Sequence, residues 1–103
     1  MYKRQDTPLD DGKRWVLVST DDGAQTRLLL AKAADSAQQA AIGNQAGGRV
    51  FLCLKTDDFD ADHERFTAAG VRFLEAPRDE AYGKVAVFED PFGNKWDLIQ
   101  NRS

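Results

Sequence analysis

Residues 84–100, KVAVFEDPFGNKWDLIQ, decide the fold. Val85 and Val87 alternate with Ala86 and Phe88. Asp90-Pro91-Phe92-Gly93-Asn94 then supplies a proline that fixes φ and a glycine that tolerates positive φ, and a second alternating run follows, so the stretch reads as a β-hairpin. Side chains alternate between the faces of a strand, which puts Trp96 and Leu98 on one side and Asp97 and Ile99 on the other. An acid among apolar neighbours in mid-strand is either half exposed or lines a cavity.

Upstream of the hairpin the pattern is strand, helix, strand. Residues 50–55, VFLCLK, have no polar side chain before Lys55, which suits a central strand covered on both faces. Asp57 and Asp58 offer cap oxygens to a helix from about Phe59 to Ala69, with Phe59 and Phe66 on one face. Gly70 ends it, and Val71 is placed to pack back on Phe66 in a Schellman stop. Residues 71–76, VRFLEA, give the next strand; Pro77 ends that strand, and residues 78–82 form a polar connection into the hairpin. The unit is βαβββ.

The chain repeats this ending. Gly12-Lys13, with Val16 and Leu17, matches Gly83-Lys84, with Val87 and Phe88, 71 positions on. Gly23, Arg27, Leu28 and Leu29 match Gly93, Asp97, Leu98 and Ile99, 70 positions on, which points to a duplicated module. Residues 1–5 have neither alternation nor a helical stripe and residues 6–12 are turn-like, so the first copy is expected to lack its opening strand and helix and to keep at most a remnant strand. Within a single domain spanning 1–103, residues 6–34 form the truncated first module, 35–48 a linker and 49–101 the complete second module. The linker is rich in Ala, Gln, Asn and Gly, with a helical turn or two over residues 33–42 and a loop over 44–48.

The duplicated plan, the run from Val87 through Asp90-Pro91-Phe92-Gly93-Asn94 to Asp97-Leu98, and Thr56-Asp57-Asp58-Phe59 leading to Ala69-Gly70-Val71 resemble the vicinal oxygen chelate superfamily of glyoxalase I, bleomycin-resistance proteins and extradiol dioxygenases. The resemblance implies an α+β fold of paired βαβββ modules, with the first module incomplete here. It also implies a concave sheet face where His, Gln and Glu side chains hold a divalent metal. Carried over position by position, the acid of the last strand is Asp97, the histidine of the opening strand is Phe51, and the acid of the first hairpin is Arg27. The fourth ligand falls on the missing strand. One oxygen ligand does not hold a catalytic ion, so no metal and no other cofactor is expected.

The remaining chemistry is sparse. No histidine stands at motif spacing from Ser19, Thr20 or Ser36, no glycine-rich phosphate loop or Cys-x-x-Cys occurs, and no catalytic residue is assigned. His63 reads as a solvated helix position and Cys53 as a small buried apolar residue. The 103 residues are 42% hydrophobic and 30% charged with net charge −3, and no basic stripe interleaves with aromatics, which argues against nucleic acid. No apolar run approaches a membrane span and no signal peptide is read, so the expected location is the cytoplasm.

Strand alternation gathers Phe51, Cys53 and Lys55 with Val85, Val87 and Glu89 and with Asp97 and Ile99 on one face. Val50, Leu52, Leu54, Ala86, Phe88, Trp96 and Leu98 fall on the other, beneath the helix. The ligand-binding candidates are Asp97, Arg27, Phe51, Cys53, Lys55, Val85, Val87 and Ile99, with Arg27 and Asp97 pairing or jointly orienting a polar ligand if the modules face each other. The bland alternative for this face is ordinary half-exposed sheet surface. The favoured reading is metal-free binding of a small molecule. Against it stand a divalent-metal-dependent lyase, dioxygenase or thiol transferase, and a fragment without activity of its own. Trp15, Leu17, Leu28, Leu29 and Leu30 lack enough of the chain's own elements to cover them, so a homodimer is expected.

Overall fold

A computed structural model describes residues 2–9, 12–21, 23 and 25–102. The elements are β1 (Tyr2–Pro8), β2 (Arg14–Ser19), β3 (Leu28–Leu30), α1 (Ser36–Ala41), β4 (Val50–Lys55), α2 (Phe59–Ala68), β5 (Arg72–Phe73), β6 (Arg78–Glu80), β7 (Gly83–Glu89) and β8 (Lys95–Asn101). They form an α+β structure of two units, one through Gln39 and the other from Ala40 onward. Among the described residues no helix is long and apolar enough to cross a membrane.

The first unit is a three-stranded antiparallel sheet in the order β1-β2-β3. β1 is longer than the expected remnant: six of its seven residues, including the supposedly turn-like Asp6, Thr7 and Pro8, pair with β2, with a register shift at Arg4, while Asp10 and Asp11 of that turn lie outside the described residues. A polar strand at a sheet edge has no apolar alternation to betray it. It is held by its ladder, by a Leu9 N–H to Lys13 carbonyl bond of 2.7 Å, and by the Arg14 guanidinium, which donates from Nε (2.9 Å) and Nη2 to the two oxygens of Asp6. Those Arg14 bonds hold the Asp6 carboxyl below the usual carboxylate range.

The two hairpins are not equivalent in register. In the second, Val87 stands opposite Asp97; the internal match therefore requires Val16 opposite Arg27. Val16 instead stands opposite Leu30, and Arg27 precedes the strand. The connection over residues 20–27 is three residues longer than that over 90–94, and the pairing slips by the same three residues. The repeat is one of element order and hydrophobic pattern rather than of cross-strand pairs.

The second unit is a five-stranded sheet with path β4-β8-β7-β5, β6 also pairing with β7. β4 runs parallel to β8 and lies on the outside of the sheet, not at its centre. Its apolar run misled because only Leu52 and Leu54 face inward, while Val50, Phe51 and Cys53 are exposed. Phe59, Ala86, Phe88 and Leu98 form the buried core, packed by Leu54, Phe66, Val71, Phe73 and Trp96. The anticipated division of faces thus holds for β7, β8 and residues 52–55, while the register shift between Val50 and Leu52 interrupts the alternation at the start of β4. Truncating a fully buried side chain such as Leu98 to alanine costs about 2–5 kcal/mol.

α2 is fixed at both ends. Asp58 Oδ1 accepts from Ala61 N–H (3.2 Å), and the Gln100 side chain reaches from β8 to accept from Phe59 N–H (2.8 Å), tying the helix start to the sheet. At the other end Gly70 has φ +92° and donates to Thr67, and Val71 donates to Phe66 at 3.0 Å, the expected Schellman pair. His63 is not a solvated position: it is half-buried, with its ring 4.1 Å from that of Phe73 and 5.7 Å from that of Phe59. It serves as an aromatic spacer between helix and sheet.

The strand expected over residues 71–76 and the connection over 78–82 become two short strands on the same partner. β5 pairs Arg72 and Phe73 with Glu89 and Phe88, and β6 pairs Arg78, Asp79 and Glu80 with Val85, Lys84 and Gly83. Leu74 N–H still reaches the Val87 carbonyl (2.9 Å), but then Pro77 intervenes, and the Glu75 carboxylate accepts the Val87 N–H (3.1 Å) in place of a backbone carbonyl.

The turn between β7 and β8 is built on Asp90. Its Oδ1 accepts from Phe92 N–H (2.9 Å) and Asn94 N–H (3.0 Å), and its Oδ2 from the Trp96 indole (3.1 Å). Partial burial pushes the Asp90 carboxyl up, but the bonds from Trp96, Asn94 and Phe92 outweigh it, and the net displacement is below the usual range. Gly43 lies against this turn, and buried Asn94 accepts from Gln45 N–H (3.3 Å), so the segment after α1 is docked there.

Asp90→Ala should destabilise the protein by roughly 2–3 kcal/mol in urea unfolding, because three N–H donors lose a charged acceptor. A folded-state carboxyl below its unfolded value stabilises fully above that value, 3.8, and less as pH falls through the lower folded one. The gap between wild type and Asp90→Asn should therefore narrow below about pH 4. Gly43 and Gly47 have φ +78° and +65°, but only at Gly43 would a β-carbon meet backbone, the Phe92 carbonyl. Gly47→Ala should cost about 1 kcal/mol of strain, and Gly43→Ala measurably more, read as the difference in melting temperature.

Candidate functional site

β8 lies between β7 and β4, so its outward side chains occupy the middle of the sheet face opposite α2. Two rows of paired residues cross that face, Val87-Asp97-Cys53 and Val85-Ile99-Lys55, with Phe51 at the outer strand beyond Cys53. Phe51 is 41% exposed, Val87, Asp97 and Ile99 are half-buried, and Val85 is fully buried. Of the residues expected at the site, the pairing thus brings Cys53, Lys55, Val87, Asp97 and Ile99 onto one face, with Val85 covered beneath it, while Phe51 is exposed on β4 at the register shift between Val50 and Leu52 and has no partner in the rows. Arg27 belongs to the first unit, where it is exposed just before β3.

Cys53 is exposed rather than buried, and its Sγ lies 3.8 Å from Asp97 Oδ2. Desolvation, the negative charge of Asp97 and the thiol's hydrogen bond to it all push the Cys53 pKa up, so the sulfur stays protonated and is a poor nucleophile. A divalent ion does not fit these donors. Asp97 and Cys53 are the only two donors in the two rows, fewer than the about three a metal site needs, and Phe51 has no lone pair to give. Among the described residues no three His, Cys, Asp or Glu side chains converge as a metal site needs.

A charged group at the margin of this face escaped the sequence reading. Arg78, opposite Val85, donates from Nε to both oxygens of Glu75 (3.0 and 3.1 Å) and from Nη1 to Glu80 (2.7 Å). These bonds raise the guanidinium pKa still further above its usual value. The signal was the acid-x-x-Arg-x-acid spacing over residues 75–80, hidden because that segment read as a strand end followed by a connection. The second unit also has an open recess of about 500 Å³ lined by Asp79, Lys84, Gln100, Asn101 and Arg102. It is less suited to a ligand than its size implies: Lys84 is paired with Asp60 (2.7 Å) and Arg102 with Asp79 (3.8 Å), and the Gln100 oxygen caps α2. The face around Asp97 offers apolar contact and an acceptor together, which is the composition of small-molecule sites.

Comparison with known proteins agrees with this architecture. A protein of Shewanella frigidimarina (strain NCIMB 400) is 52% identical over 91 residues, covering 88% of this chain and 67% of that one. The crystal structure of TnmS3, an antibiotic binding protein from Streptomyces sp. CB03234, is 32% identical with a TM-score of 0.73, covering 98% of this chain and 75% of that one. A glyoxalase/bleomycin resistance protein from the same Streptomyces strain is 33% identical with a TM-score of 0.65, covering 95% and 77%. The family model of the Glyoxalase/Bleomycin resistance protein/Dioxygenase superfamily matches residues 2–98, and the chain belongs to that superfamily.

Proposed function

We propose that the protein is a cytoplasmic homodimer that binds a small organic molecule, without a metal, on the sheet face around Asp97. The observation that carries this reading is the Val87-Asp97-Cys53 row, a half-buried carboxylate beside half-buried Val87 and Ile99, with the phenyl ring of Phe51 exposed nearby on the outer strand, at the register shift between Val50 and Leu52. A ring of that kind offers stacking area to a planar ligand and no lone pair to a metal ion. TnmS3, an antibiotic binding protein, lends support as a relative with 32% identity. The two rows offer only Asp97 and Cys53 as donors, fewer than the about three protein ligands a catalytic ion needs, which weighs against metal-dependent lyase, dioxygenase or transferase chemistry on this face.

For the dimer, Trp15, Leu29 and Leu30 are 42%, 47% and 51% exposed in a three-stranded sheet, and apolar area left in water costs about 25 cal/mol per Å². The outer strand β4 adds backbone groups on its free side that a second chain can satisfy. A single free cysteine suits a reducing compartment.

A panel of planar aromatic compounds screened by thermal shift should contain members that raise the melting temperature equally before and after treatment with a chelator. Phe51→Ala should weaken their binding about tenfold while leaving unliganded stability nearly unchanged, because the ring is already exposed. Compounds that bind only after divalent ions are restored would overturn the metal-free reading. Light scattering at micromolar concentration should give twice the chain mass; a monomer would remove the dimer.

A further inference from the structure

Six carboxylates of the second unit are half-buried: Asp62, Glu75, Glu80, Glu89, Asp90 and Asp97. Five of them have a hydrogen-bond donor or a cation beside them. Asp62 accepts from Thr56 and Arg65 (2.7 Å), Glu75 from Arg78 and the Val87 N–H, and Glu80 from Arg78. Glu89 lies 3.6 Å from Arg72, and Asp90 accepts three N–H groups. Asp97 is the exception: among the described residues of the second unit its side chain meets only the weak Cys53 thiol at 3.8 Å, and no Lys, Arg or His nitrogen of that unit lies within 4 Å of it.

The nearest lysines by register are turned to other uses or held away. Lys95, two residues back on β8, donates from Nζ to the Gly48 carbonyl (3.2 Å), and Lys55 stands beside Ile99, one row along the sheet. A carboxylate flanked by Val87 and Ile99 has lost part of its water, and among the described residues of its own unit only a weak thiol has replaced it. We infer that the ligand supplies the missing donor: the site selects an organic cation, an amine or amidine on a flat apolar body, with the charge on Asp97 and the body against Phe51. This rests on the reading of the Asp97 face as a small-molecule site and names the class of molecule it takes. A ligand ammonium or amidinium needs only one carboxylate for a charge-assisted bond, whereas an ion needs about three protein ligands, so the same Asp97 that fails a metal suffices for a cation.

The test uses benzamidine and its neutral counterpart benzamide as probes, titrated into the isotope-labelled full chain and followed by amide shifts. Benzamidine should move the Cys53, Val87 and Asp97 resonances, bind about tenfold more tightly than benzamide, and weaken with added salt. Asp97→Asn, which keeps the shape, should bring benzamidine down to the benzamide level, while Glu89→Gln on the same face should leave it unchanged. Equal binding of the two probes, or an Asp97→Asn variant that binds benzamidine as the wild type does, overturns the inference and leaves the small-molecule reading standing. If neither probe moves these amides up to its solubility limit, both fall.

Discussion

The Asp90 carboxylate accepts three N–H groups from its own turn and from the indole two residues beyond it, and most of the second unit depends on that arrangement. The turn sets where β8 starts relative to β7, and a slip of one residue would exchange the two faces of β8. With the register as built, Trp96 and Leu98 go into the core beside Phe88 and Ala86, and Asp97 and Ile99 go to the opposite side. The same turn is the platform on which Gly43 and Gln45 rest. One carboxylate thus couples the chain's path after α1, the composition of the core and the position of the candidate site.

A second set of contacts joins the ends of β8 and β4 to α2. Thr56 N–H donates to the Ile99 carbonyl (2.9 Å), and its hydroxyl accepts from Asp58 N–H and donates to Asp62. Gln100 caps the same helix end. α2 buries only Phe59 fully, with Phe66 and His63 half covered, so its apolar stripe is narrow. Isolated helices of about ten residues are marginal in water, and here end-capping from the sheet supplements a modest packed face. The helix is therefore positioned by polar bonds to β8 as much as by burial, and the strand that carries Asp97 is also the one that anchors the helix.

The parts of the fold legible in sequence are those whose signal is local. The turn at Asp90, the Asp58 cap and the Gly70-Val71 stop each depend on a few consecutive residues, and each forms as read. The parts that were not legible depend on a partner strand. β1 is polar throughout and becomes a strand only because β2 pairs with it. β4 looks central because its apolar run is continuous, although only alternate residues face the core. The slip between the two hairpins follows from loop length, which hydrophobic matching does not weigh. At the site, alternation gathered the β4, β7 and β8 residues correctly, because period two is a local property. It missed the Glu75-Arg78-Glu80 group, because that group assembles across the break between β5 and β6.

These distinctions separate two kinds of acid in one motif. Asp90 is the more visible, embedded in the turn sequence by which the family is recognised, yet both its oxygens are engaged by the turn and the indole, so it has little left to offer a ligand. Asp97 sits seven residues later, where sheet geometry asks only for a side chain that tolerates a half-buried outward position. Its neighbours across the strands, Val87 and Cys53, can likewise change without disturbing the core, which is built from the alternate residues. The motif that identifies the fold is therefore nearly silent about chemistry for a structural reason. The residues that hold the hairpin are saturated by it, and the outward residues between them are left without a part in the turn or the core.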